Sequence, residues 1–263
     1  MGDAHVLEAL AITTLAGLST AIGSVIGFFS KRPSPLFLAF TMGFSAGVMI
    51  FVAFAELLPT ALEVPELGFA GAHIAFFTGM TAYFLIDLII PHDYIGQHDH
   101  AGHRPAPGEA MNARAMERTG LLVTVGITIH NFPEGMGTFV GAMQDLHLGM
   151  ALGIAIALHN IPEGLAISAP VYFATGSRKK AFLWSLFSGG AEIAGGLLAA
   201  AVLLPFLSPA LMGCALGAVG GIMVAISLDE LIPVAKSLDS EHAPITGVIT
   251  GMLVMALSLQ LLK

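Results

Sequence analysis

Eight apolar stretches, each close to the ~20 residues an α-helix needs to cross a bilayer, run the length of this chain. They lie near residues 6–29, 36–58, 69–90, 121–139, 148–173, 181–204, 211–231 and 245–262. A β-barrel would show alternating segments of about 10 residues instead. Only 11% of the 263 residues are charged and 56% are apolar, too little polar surface for a soluble protein of this size. The expectation is an all-α integral membrane protein, with residues 1–263 forming one transmembrane domain. A net charge of −8 argues against a nucleic-acid partner. A single cysteine, Cys214, excludes a disulfide framework and any thiolate metal motif. The 31 glycines suit helices packed closely in lipid.

The N-terminus carries Asp3, His5 and Glu8 but no basic residue, so the first stretch reads as a span rather than a secretory signal. Eight spans place both termini on one side. The loops on the other side hold Lys31, Arg32, Arg104, Arg114, Arg118, Arg178, Lys179, Lys180 and Lys236, which is every Lys and Arg of the chain except Lys263. The positive-inside rule then puts both termini outside and the long loop, residues 92–118, in the cytoplasm as a flexible tether.

Two internal repeats stand out. His-Asn-Phe-Pro-Glu-Gly at 130–135 recurs as His-Asn-Ile-Pro-Glu-Gly at 159–164, one span later and therefore in the opposite direction. Gly47 to Pro59 in span two matches Gly221 to Pro233 in span seven at a constant offset, with Gly, Met, Glu, Leu and Pro in common. The two patterns suggest an inverted 3+2+3 arrangement with spans four and five at its centre. Inverted repeats are a signature of transporters, with the site at the repeat interface near mid-membrane.

His130 and Glu134 share one helix face, with Asn131 flanking it. Pro133 removes a backbone donor and loosens the helix there. His159, Asn160, Pro162 and Glu163 repeat the arrangement in span five. Each mid-bilayer carboxylate costs on the order of 3 kcal/mol, and no Lys or Arg lies within a span to neutralise it. A divalent cation would. Mixed nitrogen and oxygen donors without thiolate suit Zn(II), Fe(II), Mn(II), Co(II) or Cd(II), and two bridging carboxylates could hold a pair of ions. Glu192 in span six, flanked by glycines, is a third candidate ligand. No separate intramembrane nucleophile or general base stands out, so the chain does not read as an enzyme. The metal would be cargo, and no cofactor is called for. A metallohydrolase and a metal-sensing receptor are the competing classes.

These motifs resemble the ZIP family of divalent-metal transporters, and the resemblance covers nearly the whole chain. It implies import of Zn(II), with other divalent metals accepted, across a bacterial inner membrane by a homodimer. It implies a first metal site at His130, Glu134, His159 and Glu163, and a second at Asn131, Glu134, Asn160, Glu163 and Glu192. The absence of a phosphate-binding loop argues for secondary transport.

Away from that cluster, Glu56, Asp87, Asp229 and Glu230 read as carboxylates at span ends that would concentrate cations. Asp145 and His147 read as solvation of a short outer loop. Met49 and Met223 are the methionines that could act as ligands, and Trp184 reads as an interface anchor. His92, Asp93, His98, Asp99, His100 and His103 crowd the long loop, as metal-capturing tracts do. Deleting about His98 to His103 should lower apparent metal affinity without stopping flux, because the loop lies outside the spans. Flux into vesicles from the inserted deletion protein checks this, and its complete loss would place an essential ligand in the loop.

Overall fold

The computed structural model describes residues 3–29, 34–88, 113–238 and 242–262. Among these there are eight long helical spans and no strand. They are α1 (Asp3–Phe29), α2 (Pro35–Leu62), α3 (Gly68–Asp87), α4 (Ala113–Gln144), α5 (Leu146–Thr175), α6 (Arg178–Phe206), α7 (Pro209–Ser237) and α8 (Ala243–Leu262). Seven are long and apolar enough to cross a membrane. The eighth, α4, is 32 residues long and carries His130, Asn131, Pro133 and Glu134 in its second half. The chain is a multi-pass helical membrane protein. Of the proposed loop at 92–118, residues from Ala113 onward already belong to α4. His92, Asp93, His98, Asp99, His100 and His103 lie outside the described residues.

Local sequence explains where the helices begin. Ser34, Asp145, Ser177 and Ser208 each accept, through the side chain, the backbone N–H three residues on. This satisfies a donor that the first turn leaves free. Pro35 and Pro209 follow their caps at the position where a missing N–H does no harm. Gly176, at φ 64°, closes α5 in the left-handed conformation that glycine adopts freely.

Three helices contain one π-helical turn, at Ala53–Leu57, Ala199–Leu203 and Ser227–Leu231. Each lies just before a proline: Pro59, Pro205 and Pro233. A proline ring clashes with the carbonyl four residues earlier. A wider turn shifts the register, so that Leu58 N–H bonds to the Ala53 carbonyl and Ile232 N–H to that of Ser227. The consequence overturns one expectation. Spans two and seven do not stop near Leu58 and Leu231; they continue to Leu62 and Ser237. Glu56, Asp229 and Glu230 therefore lie within continuous helix rather than at its ends.

Helices α1, α4, α5 and α6 pack on one another around the His-Asn-x-Pro-Glu-Gly segments. The remaining four form two close pairs, α2 with α8 and α3 with α7. Helix α2 also packs on α5, and α7 on α4. Large apolar side chains such as Phe69, Phe187, Leu15 and Ile249 remain exposed on the outside, as an apolar solvent permits. Met49 and Met223 are buried in the hydrophobic core.

The last residue of each short motif is glycine because a neighbouring backbone occupies the space of a side chain. A Cβ at Gly135 would lie 1.8 Å from the Glu192 carbonyl oxygen, and one at Gly164 would lie 1.8 Å from that of Thr20. Gly135→Val or Gly164→Val should therefore cost on the order of 3 kcal/mol by forcing α6 or α1 away. The check is the yield of monodisperse protein in detergent, which should fall sharply for both variants. Normal yield would show that these contacts are not tight.

Candidate metal centre

All seven residues expected to bind metal are completely buried: His130, Asn131 and Glu134 on α4, His159, Asn160 and Glu163 on α5, and Glu192 on α6. The fold brings them together at the centre of the α1, α4, α5 and α6 group, and they pair across helices. His130 Nε2 lies 3.3 Å from Glu163 Oε2, and His159 Nε2 lies 3.3 Å from Glu134 Oε2. Each motif thus hands its imidazole to the other motif's carboxylate, although its own Glu lies on the same helical face.

The asparagines point outward from this pair of bridges. Asn131 Nδ2 donates to the Ser188 carbonyl on α6 at 3.2 Å, and Asn160 Nδ2 donates to the Ala16 carbonyl on α1 at 3.1 Å. Asn160 Nδ2 also donates to Glu192 Oε2 at 2.7 Å, which ties the third carboxylate to the cluster. No Lys or Arg pairs with Glu134, Glu163 or Glu192 among the described residues.

A second layer of donors was not foreseen from sequence. Ser45 on α2 donates to Glu163 Oε1 at 3.1 Å. Glu230 on α7 is buried, accepts from the Tyr83 hydroxyl of α3, and brings its Oε2 to 4.0 Å from His130 Nδ1. The long-range repeat had matched Glu230 with Glu56. Nothing local to α7, however, says that its π-helical turn faces α4. Asp145 is also reassigned. Only that residue separates α4 from α5, so there is no outer loop for it to solvate, and it caps α5 instead. Asp87 is the last residue of α3, and Trp184 lies half-buried near the start of α6.

Several buried polar atoms have no hydrogen-bond partner, and they are concentrated here. They include Asn131 Oδ1, Asn160 Oδ1, Glu134 Oε1 and Glu192 Oε1, together with the Nδ1 atoms of His130 and His159. An unsatisfied buried polar atom costs about 1–3 kcal/mol. Four are acceptor oxygens and two are imidazole nitrogens, atom types that suit a borderline divalent cation. Among the described residues, no three His, Cys, Asp or Glu side chains converge as a finished shell for one ion. Both Nε2 atoms are turned onto carboxylates. A cation would have to replace the hydrogen in each bridge.

Two comparisons bear on what this cluster serves. The family described as ZIP Zinc transporter matches residues 90–259, which include both motifs and Glu192. The chain belongs to the ZIP family. Its relatives include the zinc transporter ZupT of Salmonella heidelberg (strain SL476), 44% identical over 257 residues and 98% of each chain. The same transporter of Salmonella newport (strain SL254) is 44% identical over 254 residues, covering 97% of this chain and 96% of that one. The family is one of transporters and not of enzymes, as the sequence had suggested.

The bridging hydrogens set up a competition. A metal that takes either Nε2 must displace the proton shared with the opposite carboxylate, and imidazole ligates only when neutral. Zn(II) affinity of the purified protein should therefore weaken as pH falls from about 7 to about 5, because protons and metal compete for the same ligand atoms. Equilibrium dialysis at matched pH and ionic strength measures it. Affinity that stays flat would remove the imidazoles from the ligand set and leave the oxygens of Asn131, Asn160, Glu134, Glu163 and Glu192.

Proposed function

We propose that this chain is a secondary transporter importing Zn(II) through an intramembrane binuclear site, with Fe(II), Mn(II), Co(II) or Cd(II) as further cargo. The observation that carries the reading is the group of wholly buried oxygens without hydrogen-bond partners beside two buried imidazoles, where α4 and α5 present their matching motifs. His130, Glu134, His159 and Glu163 would form the first site. Asn131, Glu134, Asn160, Glu163 and Glu192 would form the second. Glu134 and Glu163 bridge the two. Three carboxylates without a Lys or Arg partner carry a negative charge that divalent cargo balances, which lowers the barrier to a cation in the hydrocarbon interior. The name of the relatives, zinc transporter, supports zinc as the principal cargo.

The same reading has the chain as an inverted 3+2+3 repeat. Three features support it. The π-helical turns of α2 and α7 begin at Ala53 and Ser227, at the spacing of the long-range sequence repeat. Exchanging α1 with α6, α2 with α7, α3 with α8 and α4 with α5 converts the α2–α8 pair into the α7–α3 pair. It also converts α1–α5 into α6–α4. The asparagine bonds to Ala16 and Ser188 exchange in the same way. Charge asymmetry supports both termini outside and the loop at 92–118 in the cytoplasm. The family resemblance adds a bacterial inner-membrane location and a homodimer.

The double substitution Glu134→Ala with Glu163→Ala should abolish Zn(II) flux in proteoliposomes and leave a monodisperse, folded protein. Removing two buried carboxylates takes away an insertion cost of several kcal/mol, on the order of 3 for each, so the loss would belong to transport. Wild-type flux in the double variant would refute the site. A wild-type protein that binds Zn(II) without moving it would favour the metallohydrolase or receptor classes.

A further inference from the structure

Thr20 on α1 is a completely buried hydroxyl whose Oγ1 has no hydrogen-bond partner. Its neighbours on the same and other helices behave differently. Thr13 and Thr14 close onto the carbonyls of Ala9 and Leu10, and Thr138 onto that of Glu134, each four residues back. The carbonyl four residues before Thr20 is that of Ala16. That oxygen already accepts from Asn160 Nδ2 and from Ser19 Oγ. The asparagine of the α5 motif has taken the usual place of the Thr20 hydroxyl.

The backbone contacts around Thr20 match those around Glu192. Helices α1 and α6 cross at Gly17 and Gly189. A Cβ at Gly17 would lie 2.5 Å from the Gly189 carbonyl oxygen, and one at Gly189 would lie 2.1 Å from that of Gly17. Thr20 and Glu192 each stand three residues beyond this crossing. One turn before Thr20, Asn160 clamps the Ala16 carbonyl; one turn before Glu192, Asn131 clamps the Ser188 carbonyl. The Thr20 carbonyl packs on Gly164, next to Glu163, and the Glu192 carbonyl packs on Gly135, next to Glu134. The two flanks of the cluster are therefore built alike and end in different chemistry: a carboxylate on α6 and a hydroxyl on α1.

We propose that Thr20 Oγ1 is a neutral oxygen donor to the divalent cation, occupying on the α1 flank the place that Glu192 occupies on the α6 flank. The proposal rests on the reading above that this cluster carries a divalent cation. It assigns a reason to the asymmetry. The number of charged ligands tunes how tightly an oxygen site holds a cation. A hydroxyl at residue 20 supplies an oxygen without a fourth negative charge, so the cargo is recognised on both flanks and still released.

The test uses the full-length protein with Zn(II) alone as probe. Thr20→Val keeps the shape and removes the oxygen, and Thr20→Ser keeps the oxygen. Zn(II) binding by equilibrium dialysis should weaken about five- to tenfold in Thr20→Val, and proteoliposome KM should rise with it. Thr20→Ser should stay near wild type. The Tm of metal-free Thr20→Val should not fall, because the variant deletes an unpartnered buried hydroxyl. Wild-type Zn(II) affinity in Thr20→Val would overturn the proposal and leave the proposed function standing. Equal losses in Thr20→Ser and Thr20→Val, or a lowered metal-free Tm in Thr20→Val, would assign the effect to packing and also overturn it. A wild-type protein that binds no Zn(II) would sink the proposed function and this inference together.

Discussion

Carboxylates without access to water must find hydrogen or positive charge, and this protein buries three of them at one place. Glu134, Glu163 and Glu192 have no Lys or Arg partner among the described residues. Their partners are two imidazoles, an amide and a serine hydroxyl, each drawn from a different helix or the opposite motif. Such partners temper the charge without cancelling it. That residual charge, in a site where other oxygens lack any partner, makes the cluster attractive to a cation and costly without one. The helices around it can be understood as the means of holding this unfavourable arrangement in a single geometry.

Small residues provide much of that means. Without water, helices gain little from burying apolar side chains against one another, and close backbone approach replaces that driving force. Gly135 and Gly164 let α6 and α1 lie directly on the two motifs. The same approach brings the Ala16 and Ser188 carbonyls within reach of the asparagines. The clamps in turn decide which polar atoms remain free. Asn Nδ2 is engaged and Asn Oδ1 is not, so each amide presents an acceptor, the end a cation requires. Packing and ligand chemistry are therefore one problem here: widening the α1–α6 crossing would release the asparagines as well as loosen the fold.

Prolines provide the second device. Pro133 and Pro162 sit within continuous helices, each directly before the motif's glutamate. Pro59, Pro205 and Pro233 each follow a π-helical turn. A π-helical turn rotates everything beyond it relative to an ordinary helix. In α7 Glu230 lies within that turn and meets Tyr83, with His130 nearby. A residue read from sequence as a cation-concentrating carboxylate at a span end becomes part of the inner cluster because the helix does not end there.

The chain by itself determined what depends on neighbours in sequence. Long apolar runs require helices, since a backbone in lipid must satisfy its own hydrogen bonds. Serine and asparate caps set where several of them start. The doubled His-Asn-x-Pro-Glu-Gly marked the polar centre, because buried carboxylates and imidazoles at helical spacing have few uses other than binding. Tertiary structure alone decided which partners meet. Helical periodicity assigns His130 and Glu134 to one face, but the crossing of α4 and α5 sends His130 to Glu163 instead. The correspondence of Thr20 with Glu192 was equally hidden, because a hydroxyl and a carboxylate share no residue identity and only backbone contacts reveal that they hold equivalent places. Side-chain chemistry and local spacing are written along the chain, whereas the register between helices arises only when glycines and prolines from distant segments come to share the same space.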